Sequence, residues 1–319
     1  MDVIYKTSFE LSDLEILAIC EVFTQTFKGH SKTIEDFKNE FLNTELGYSY
    51  HGLLLDNGNI VGSQSYIPFF YLIDSVETLV ALSVDTMIIE KYRNFDNIFD
   101  LWTNGHKLLK ANKVSFIIGF PNEQAYPLLT KGMKEKEIGK LTTYFLPYKI
   151  SSLNSKFKLL DFFSIGLSYL MVGFSYFSWG KNQKHYRIEK NRKNFNSFRY
   201  KWFDGNYKYY TTNSFTSVYK IKKYKGVNTA FLLDVFPMSK SNFNNTIRHI
   251  FFKNRGNFEA IIYVGNLNFT PISLIKLPRK FEPKTFYFTA KVLNPKSVDT
   301  DVVYDLNNWD VNLSNYDLI

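Results

Sequence analysis

The residues best placed for chemistry surround one basic turn. Lys91-Tyr92-Arg93-Asn94 separates a β-rich run, Ser83-Val-Asp-Thr-Met-Ile-Ile-Glu90, from a pattern over Phe95 to Ala111 whose apolar residues (Ile98, Leu101, Trp102, Leu108, Leu109) recur at helical spacing. A strand that feeds a helix through a tight turn aims the first free helix N–H groups at that turn, and a pyrophosphate suits such a seat. The formal net charge of +9 favours anionic partners in the same sense: a diphosphate, a nucleotide-linked sugar, RNA or an anionic membrane surface. A lysine-rich surface alone would give the same sum.

Other chemistries find less support. His30, His51, His106, His185 and His249 show no metal spacing with one another or with Cys20, so no metal ligand is expected. There is no Walker loop and no Gly-x-Ser-x-Gly. Cys20 lies among Ile16, Leu17, Ile19, Val22 and Phe23 and reads as a buried small hydrophobe. As the single cysteine it excludes an internal disulfide framework and fits a reducing cytoplasm. Met1-Asp-Val-Ile-Tyr-Lys-Thr shows no secretion signal.

The elements that must hold the turn follow from periodicity. Val3 to Tyr5 reads as a strand, Leu11 to Phe27 as an amphipathic helix, and Ser31 as the cap of a second helix that turns Ile34, Phe37, Phe41 and Leu42 inward. His51 to Leu55 and Ile60 to Ile67 are strands joined by Asp56-Asn57-Gly58-Asn59, a turn whose Asn and Gly accept positive φ. Phe69 to Ile73 extends the meander, and Leu79 to Ile89 is the central strand. Val114 to Gly119 is a buried-type strand, Phe120-Pro-Asn-Glu123 leads into a helix, and Leu141 to Tyr148 is expected to close the first lobe.

The length of 319 residues exceeds one ordinary core and points to two domains. Phe162 to Trp179 is an uncharged run of roughly 18 residues, near the lower limit for crossing a bilayer. It is flanked by Lys156, Lys158, Lys181 and Lys184, and diluted by Ser164, Ser168, Ser175, Ser178, Gly166 and Gly173. A helix packed on the protein, or lying at a membrane interface, is expected rather than a span. Lys181 to Arg199 is strongly basic, as a solvated face or as a site for phosphate or lipid headgroups. The second half reads as a worn copy of the first. Ala260-Ile-Ile-Tyr-Val-Gly265 and Thr285-Phe-Tyr-Phe-Thr match Ser115-Phe-Ile-Ile-Gly119 and Thr143-Tyr-Phe-Leu-Pro. Ala230 to Val235 and Asn242 to Phe252 supply the preceding strand and helix, and Lys225-Gly226 a hairpin. The fold class expected is α/β, with two lobes, each a mixed twisted sheet flanked by helices. The divisions are 1–150, a connector over 151–200, and 201–319.

The order of elements over residues 1 to about 150 resembles the core of the GNAT (GCN5-related) N-acyltransferases, in the double-lobed bacterial form of surface-polysaccharide loci. The resemblance implies that Thr86, Met87, Ile88 and Ile89 offer backbone groups to the pantetheine arm of acetyl-CoA or another acyl-CoA. It places the diphosphate on Arg93, Asn94, Asn97 and Ile98. The family turn Arg-x-x-Gly-x-Gly/Ala reads here Arg93-Asn-Phe-Asp96-Asn-Ile98, so Arg93 matches and both small residues are replaced. Asn122-Glu-Gln-Ala125 matches the family's Asn-x-x-Ala, which adds Asn122 to the cofactor set. Leu129 stands at the usual tyrosine position, with Tyr126 one helical turn earlier as the candidate acid. Asp85 is the first candidate base and Glu123 the second.

The activity implied is transfer of an acyl group from acyl-CoA to a small-molecule amine, such as a nucleotide-linked amino sugar. The site expected is the cytoplasm, with 159–180 able to rest on the inner face of the membrane, and no nucleic acid partner is favoured. Two alternatives stand beside it: a FemAB-like transferase using aminoacyl-tRNA, and a non-catalytic degenerate fold at a membrane surface. The ending Asn307-Asn-Trp309…Asp317-Leu-Ile is expected to dock as a strand or cap and to line the acceptor cleft.

Overall fold

The computed structural model describes residues 1–152, 155–177, 186–200 and 206–315. In chain order the elements are β1 (Asp2–Thr7), α1 (Asp13–Thr26), α2 (Ile34–Phe41), β2 (Tyr50–Asp56), β3 (Asn59–Ile73), β4 (Val76–Ile88), α3 (Phe95–Ala111), β5 (Phe116–Gly119), α4 (Ala125–Pro127) and β6 (Lys136–Pro147). They continue as α5 (Asp161–Phe174), β7 (Ile188–Lys190), α6 (Arg192–Arg199), β8 (Lys208–Thr211), β9 (Thr216–Tyr224), β10 (Val227–Phe236), α7 (Lys240–Lys253), β11 (Ala260–Gly265), β12 (Ile275–Lys276), β13 (Phe286–Val292) and α8 (Thr300–Val303).

Two compact units result, and each is discontinuous in sequence. The first comprises Met1–Gly139, Arg187–Gly205 and Phe286–Trp309; the second comprises Lys140–Tyr186, Asn206–Thr285 and Asp310–Ile319. This differs from the expected division at 150 and 200. The reason is an exchange of closing strands. β13 pairs antiparallel with β5 of the first unit, while β6 pairs antiparallel with β11 of the second. Leu141 to Tyr148 therefore does not close the first lobe.

The sheet of the first unit runs β1-β2-β3-β4-β5-β13, with β7 alongside the end of β3. Only its β4–β5 pair is parallel among these strands. The Asp56–Asn59 turn forms as expected, with Asn57 at φ 49° and Gly58 at φ 82°. The expected strands at 60–67 and 69–73 are one continuous strand, β3. The cap of α2 is Thr33, in a capping box with Asp36, rather than Ser31. One face of the sheet packs on α3 through Leu54, Val61, Ile88, Leu101 and Trp102. On the other, Phe37 and Phe41 of α2 meet the ring of His51.

The second sheet runs β6-β11-β10-β9-β8, with β10 and β11 parallel. Its core sets Phe243, Ile247, Ile250 and Phe251 of α7 against Leu232, Ile261 and Tyr263. β9 and β10 are joined through Lys225 and Gly226, both at positive φ. Within the first unit Trp309 is fully buried among Tyr71, Phe116 and Phe288, and its indole N–H donates to Val303 O at 2.8 Å. Lys181, Lys184, His185, Ser178, Trp179 and Asp317-Leu-Ile lie outside the described residues.

Candidate active site

The central strand of the first unit loses one neighbour part-way along. β4 and β5 pair in parallel from Val80↔Phe116 to Ser83↔Gly119, and β4 continues to Ile88. Among the described residues no strand pairs with that edge of β4 beyond Ser83, so the two strands part there. On its other edge β4 stays with β3, but Ser65↔Val84 is followed by Ser63↔Met87, so β4 carries one residue more than its partner. Asp85 absorbs the bulge at φ 48°, a conformation costly for a side chain other than glycine.

The bulge redirects Asp85. Its carboxylate meets the Lys32 ammonium, which also reaches Glu40 Oε2 at 2.7 Å and lies 4.6 Å from the Phe23 ring centre. Burial opposes the Lys32 charge, but the carboxylates of Asp85 and Glu40 outweigh it and hold the ammonium well above its ordinary range. One cation between two carboxylates leaves the group net negative. Asp85 is the outermost member, its side chain 19% exposed against 6% for Glu40.

The expected backbone seat over Thr86, Met87, Ile88 and Ile89 is narrower than the sequence implied. The Ile89 N–H donates to Val61 O at 3.0 Å, and Ile88 O accepts from Arg93 Nη2 at 3.0 Å. Met87 and Ile88 bury their side chains, whereas Thr86 is exposed. Arg93 is thereby pinned to the end of β4. Asn94 caps α3, its side-chain oxygen accepting the Asn97 N–H at 2.9 Å, and Asn97 Nδ2 donates to Tyr92 O at 2.7 Å. Ile98 turns its side chain into the α3 core and gives its N–H to Asn94 O at 3.3 Å. Of the turn amides, those of Phe95 and Asp96 keep no intrahelical partner by helix geometry. The Asp96 side chain is exposed in the first turn of α3 and does not fill the gap.

The residues after β5 bond to their own turn, to Glu137 and to Tyr287. Asn122 caps its own turn, accepting from Gln124 N at 3.1 Å and Ala125 N at 2.8 Å. Tyr126 stacks on Tyr287 with ring centres 4.0 Å apart and donates its hydroxyl proton to Glu137. That hydrogen bond, reinforced by partial burial, raises the phenol to about 12. Glu123 is exposed. Asp85 thus meets Lys32, while Tyr126 on α4 meets Tyr287 of β13 and Glu137.

A buried polar cluster beneath α3 has no signature in the sequence. Glu135 is 4% exposed and accepts from Thr289 Oγ1 at 2.9 Å; burial pushes its carboxyl up to about 7 against the pull of Thr289 and Lys291. The Tyr66 hydroxyl, Trp102 Nε1, His106 Nε2 and Glu135 Oε1 are buried with no hydrogen-bond partner among the described residues. Burial lowers His106 to about 4, so its imidazole is neutral near pH 7. The cluster draws on β3, α3, β13 and the stretch after Met133, which only the fold assembles. Cys20 is buried and pushed up to about 11, as suits a packing thiol. No group of three metal-ligating side chains occurs among the described residues.

The chain as a whole is similar in fold to several solved structures. This is the GCN5-related N-acetyltransferase fold. A GCN5-related N-acetyltransferase from Kribbella flavida superposes with a TM-score of 0.59 at 9% identity, covering 92% of this chain and 71% of that one. One from Anabaena variabilis gives 0.58 at 10% identity, with 91% and 73% covered. Eis1 from Mycobacterium abscessus gives 0.56 at 10% identity, with 93% and 75% covered. No family model matches the sequence, and no curated protein is similar enough to match. The likeness is one of fold.

Proposed function

We propose that this chain is an acyl-CoA-dependent N-acyltransferase, with its reaction centre in the first unit. The observation that carries the proposal is the parting of β4 from β5 beyond Ser83, above Arg93 and the start of α3. An acyl-CoA would lay its diphosphate on Arg93 and the Phe95 and Asp96 amides, and its thioester between the parted strands. The free amine attacks the thioester carbonyl, a backbone N–H of β4 stabilises the oxyanion, the C–S bond breaks and coenzyme A leaves as the thiol, its sulfur taking the second nitrogen-bound proton directly or through water. The net negative Lys32–Glu40–Asp85 group draws the acceptor ammonium to the α1–α2 face, and Asp85, directly or through water, takes the proton. Tyr126 is reassigned from leaving-group acid to a structural hydroxyl. The acceptor is proposed to be a small amine, with a nucleotide-linked amino sugar as the first to try, and the reaction is placed in the cytoplasm.

The test is thiol release from acetyl-CoA and longer acyl-CoAs across a panel of amines. Asp85→Asn is expected to lower kcat by about 10²-fold or more, as loss of a general base does, with Tyr126→Phe nearly silent. A silent Asp85→Asn would remove the assigned base. Release by no acyl-CoA, together with salt-sensitive retention of tRNA, would favour the aminoacyl-tRNA alternative.

A further inference from the structure

Helix α5 presents apolar side chains on two faces, and only one is covered by the described residues. Ser164, Ser168 and Val172 are buried against the second unit, with the Ser164 and Ser168 hydroxyls donating to Tyr148 O at 3.2 Å and Pro147 O at 3.0 Å. The opposite face of α5 and its flanking helical turns leaves Leu159 91%, Phe162 80%, Phe163 69%, Leu170 59%, Phe174 59% and Phe177 80% exposed. At on the order of 100 Å² each, six such side chains reach the upper end of the roughly 300–600 Å² largest patch of an ordinary monomer.

This surface is bordered by cations. Arg248 lies 4.1 Å from the Tyr176 ring centre and donates to Ser175 Oγ at 3.0 Å; Arg255 lies 6.0 Å from the Tyr169 ring centre. Beside Tyr176 and Phe252 opens a cavity of about 490 Å³ also lined by Arg248, His249 and Lys253, where His249 stacks on Tyr210 at 3.8 Å. Lys149 and Lys158 sit near Asp161 at the start of α5, and that carboxylate is already bonded by the Ser151 N–H and hydroxyl at 2.8 and 2.6 Å. A second copy docked here about a two-fold axis would set these cations against themselves. An anionic bilayer would complement both the carbon and the charge. Length alone would permit a span, since the continuous helical stretch Lys156–Phe177 has 22 residues, but spanning would strip the buried face of Ser164, Ser168 and Val172 from the second unit.

We propose that this face is a monotopic membrane-binding surface: α5 lies in the interfacial layer of an anionic bilayer with its exposed aromatic side chains inserted, and Arg248 and Lys253 hold a lipid headgroup phosphate in the adjoining cavity. The proposal is independent of the acyl-transfer reading.

The test is flotation of the full chain with vesicles of phosphatidylcholine alone or carrying one-third phosphatidylglycerol. Binding to the phosphatidylglycerol vesicles is expected to be at least tenfold stronger, and to weaken in about 0.5 M NaCl. Phe162→Ser with Phe177→Ser should abolish it. Arg248→Ala with Lys253→Ala should erase the preference for phosphatidylglycerol. Both pairs are to keep the parent's far-UV circular dichroism; should either unfold, Leu159→Ser with Phe163→Ser and Lys149→Ala with Lys158→Ala take their places. Binding indifferent to phosphatidylglycerol or to the aromatic variants would overturn the proposal. So would concentration-dependent dimerisation lost in Phe162→Ser/Phe177→Ser without vesicle binding.

Discussion

The same backbone device occurs twice in this chain, with two outcomes. In the first unit the parallel pair ends at Ser83↔Gly119, and β4 bulges at Asp85 before running on to Ile88. In the second the parallel pair ends at Leu232↔Tyr263, and β10 gains its extra residue at Leu233, between Leu232↔Tyr219 and Asp234↔Val218. Strands that part leave backbone and side-chain polar groups in need of partners. In the second unit the chain supplies them itself. Asn312 Nδ2 donates to the buried Asp234 carboxylate at 3.0 Å, the Asn266 N–H donates to Val311 O at 2.9 Å, and Asn312 forms a bridge with Gly265. A Cβ at Gly265 would lie 2.9 Å from Asn312 Cβ, so glycine is needed for this approach. In the first unit Arg93 reaches Ile88 O at the mouth of the gap, and no described strand fills the rest. One parting is closed by the chain's own groups; the other is the proposed seat for the acyl-CoA.

That contrast can be broken from either side. Lys32→Met would leave Glu40 and Asp85 facing each other at a largely buried position, and should cost about 3–5 kcal/mol in denaturant unfolding. A cost under about 1 kcal/mol would mean that the ion triad does not hold the bulged strand. Asn312→Ala removes a donor from the buried Asp234 and the acceptor for the Ser314 N–H and hydroxyl. It should cost about 3 kcal/mol, with acyl-CoA affinity unchanged if the second joint is structural only.

Glu135 offers a pH-dependent test of the first unit. Its carboxyl is raised from 4.5 to about 7 by burial, so the folded chain binds more protons than the unfolded one between those values. Stability from this group is therefore fully present below about pH 4.5 and falls as pH rises toward 7, by at most about 3 kcal/mol. His51 and His106, lowered by burial to about 3 and about 4, act in the opposite sense below pH 6.5. The measurement is the difference between wild type and Glu135→Gln in urea at pH 5 and pH 7.5. Stability of the variant relative to wild type should rise with pH. A constant difference would remove the buried acid from the account.

What the sequence revealed was local. The strand, basic turn and helix from Ser83 to Ala111 carry their own periodicity and a polar cap, and Asn57-Gly58 states its turn through the φ angles it tolerates. What stayed hidden was long-range. Leu141 to Tyr148 and Phe286 to Val292 both read as strands, but nothing in either names its neighbour, so their exchange between the sheets was missed. The bulge at Asp85 has no turn residue to announce it, and its partner Lys32 lies 53 positions away. Asn122 matched a motif and Tyr126 lay one helical turn from the position of another, and in the fold they bond to their own turn and to Glu137. Glu135 became visible only when β3, α3 and β13 closed around it.

The smallest expected effect sharpens the contrast most. Asp96 is exposed at the turn, and its charge opposes a diphosphate at a cost on the order of 1 kcal/mol, so Asp96→Gly should tighten acyl-CoA binding up to about tenfold. The decisive measurement is isothermal titration of the full chain with a non-hydrolysable acetyl-CoA analogue. One equivalent per chain, weakened at least tenfold in Arg93→Ala and tightened in Asp96→Gly, is the predicted result. No binding at millimolar ligand, two equivalents, or binding indifferent to Arg93 would contradict the claim that one parted seam of the two takes the cofactor.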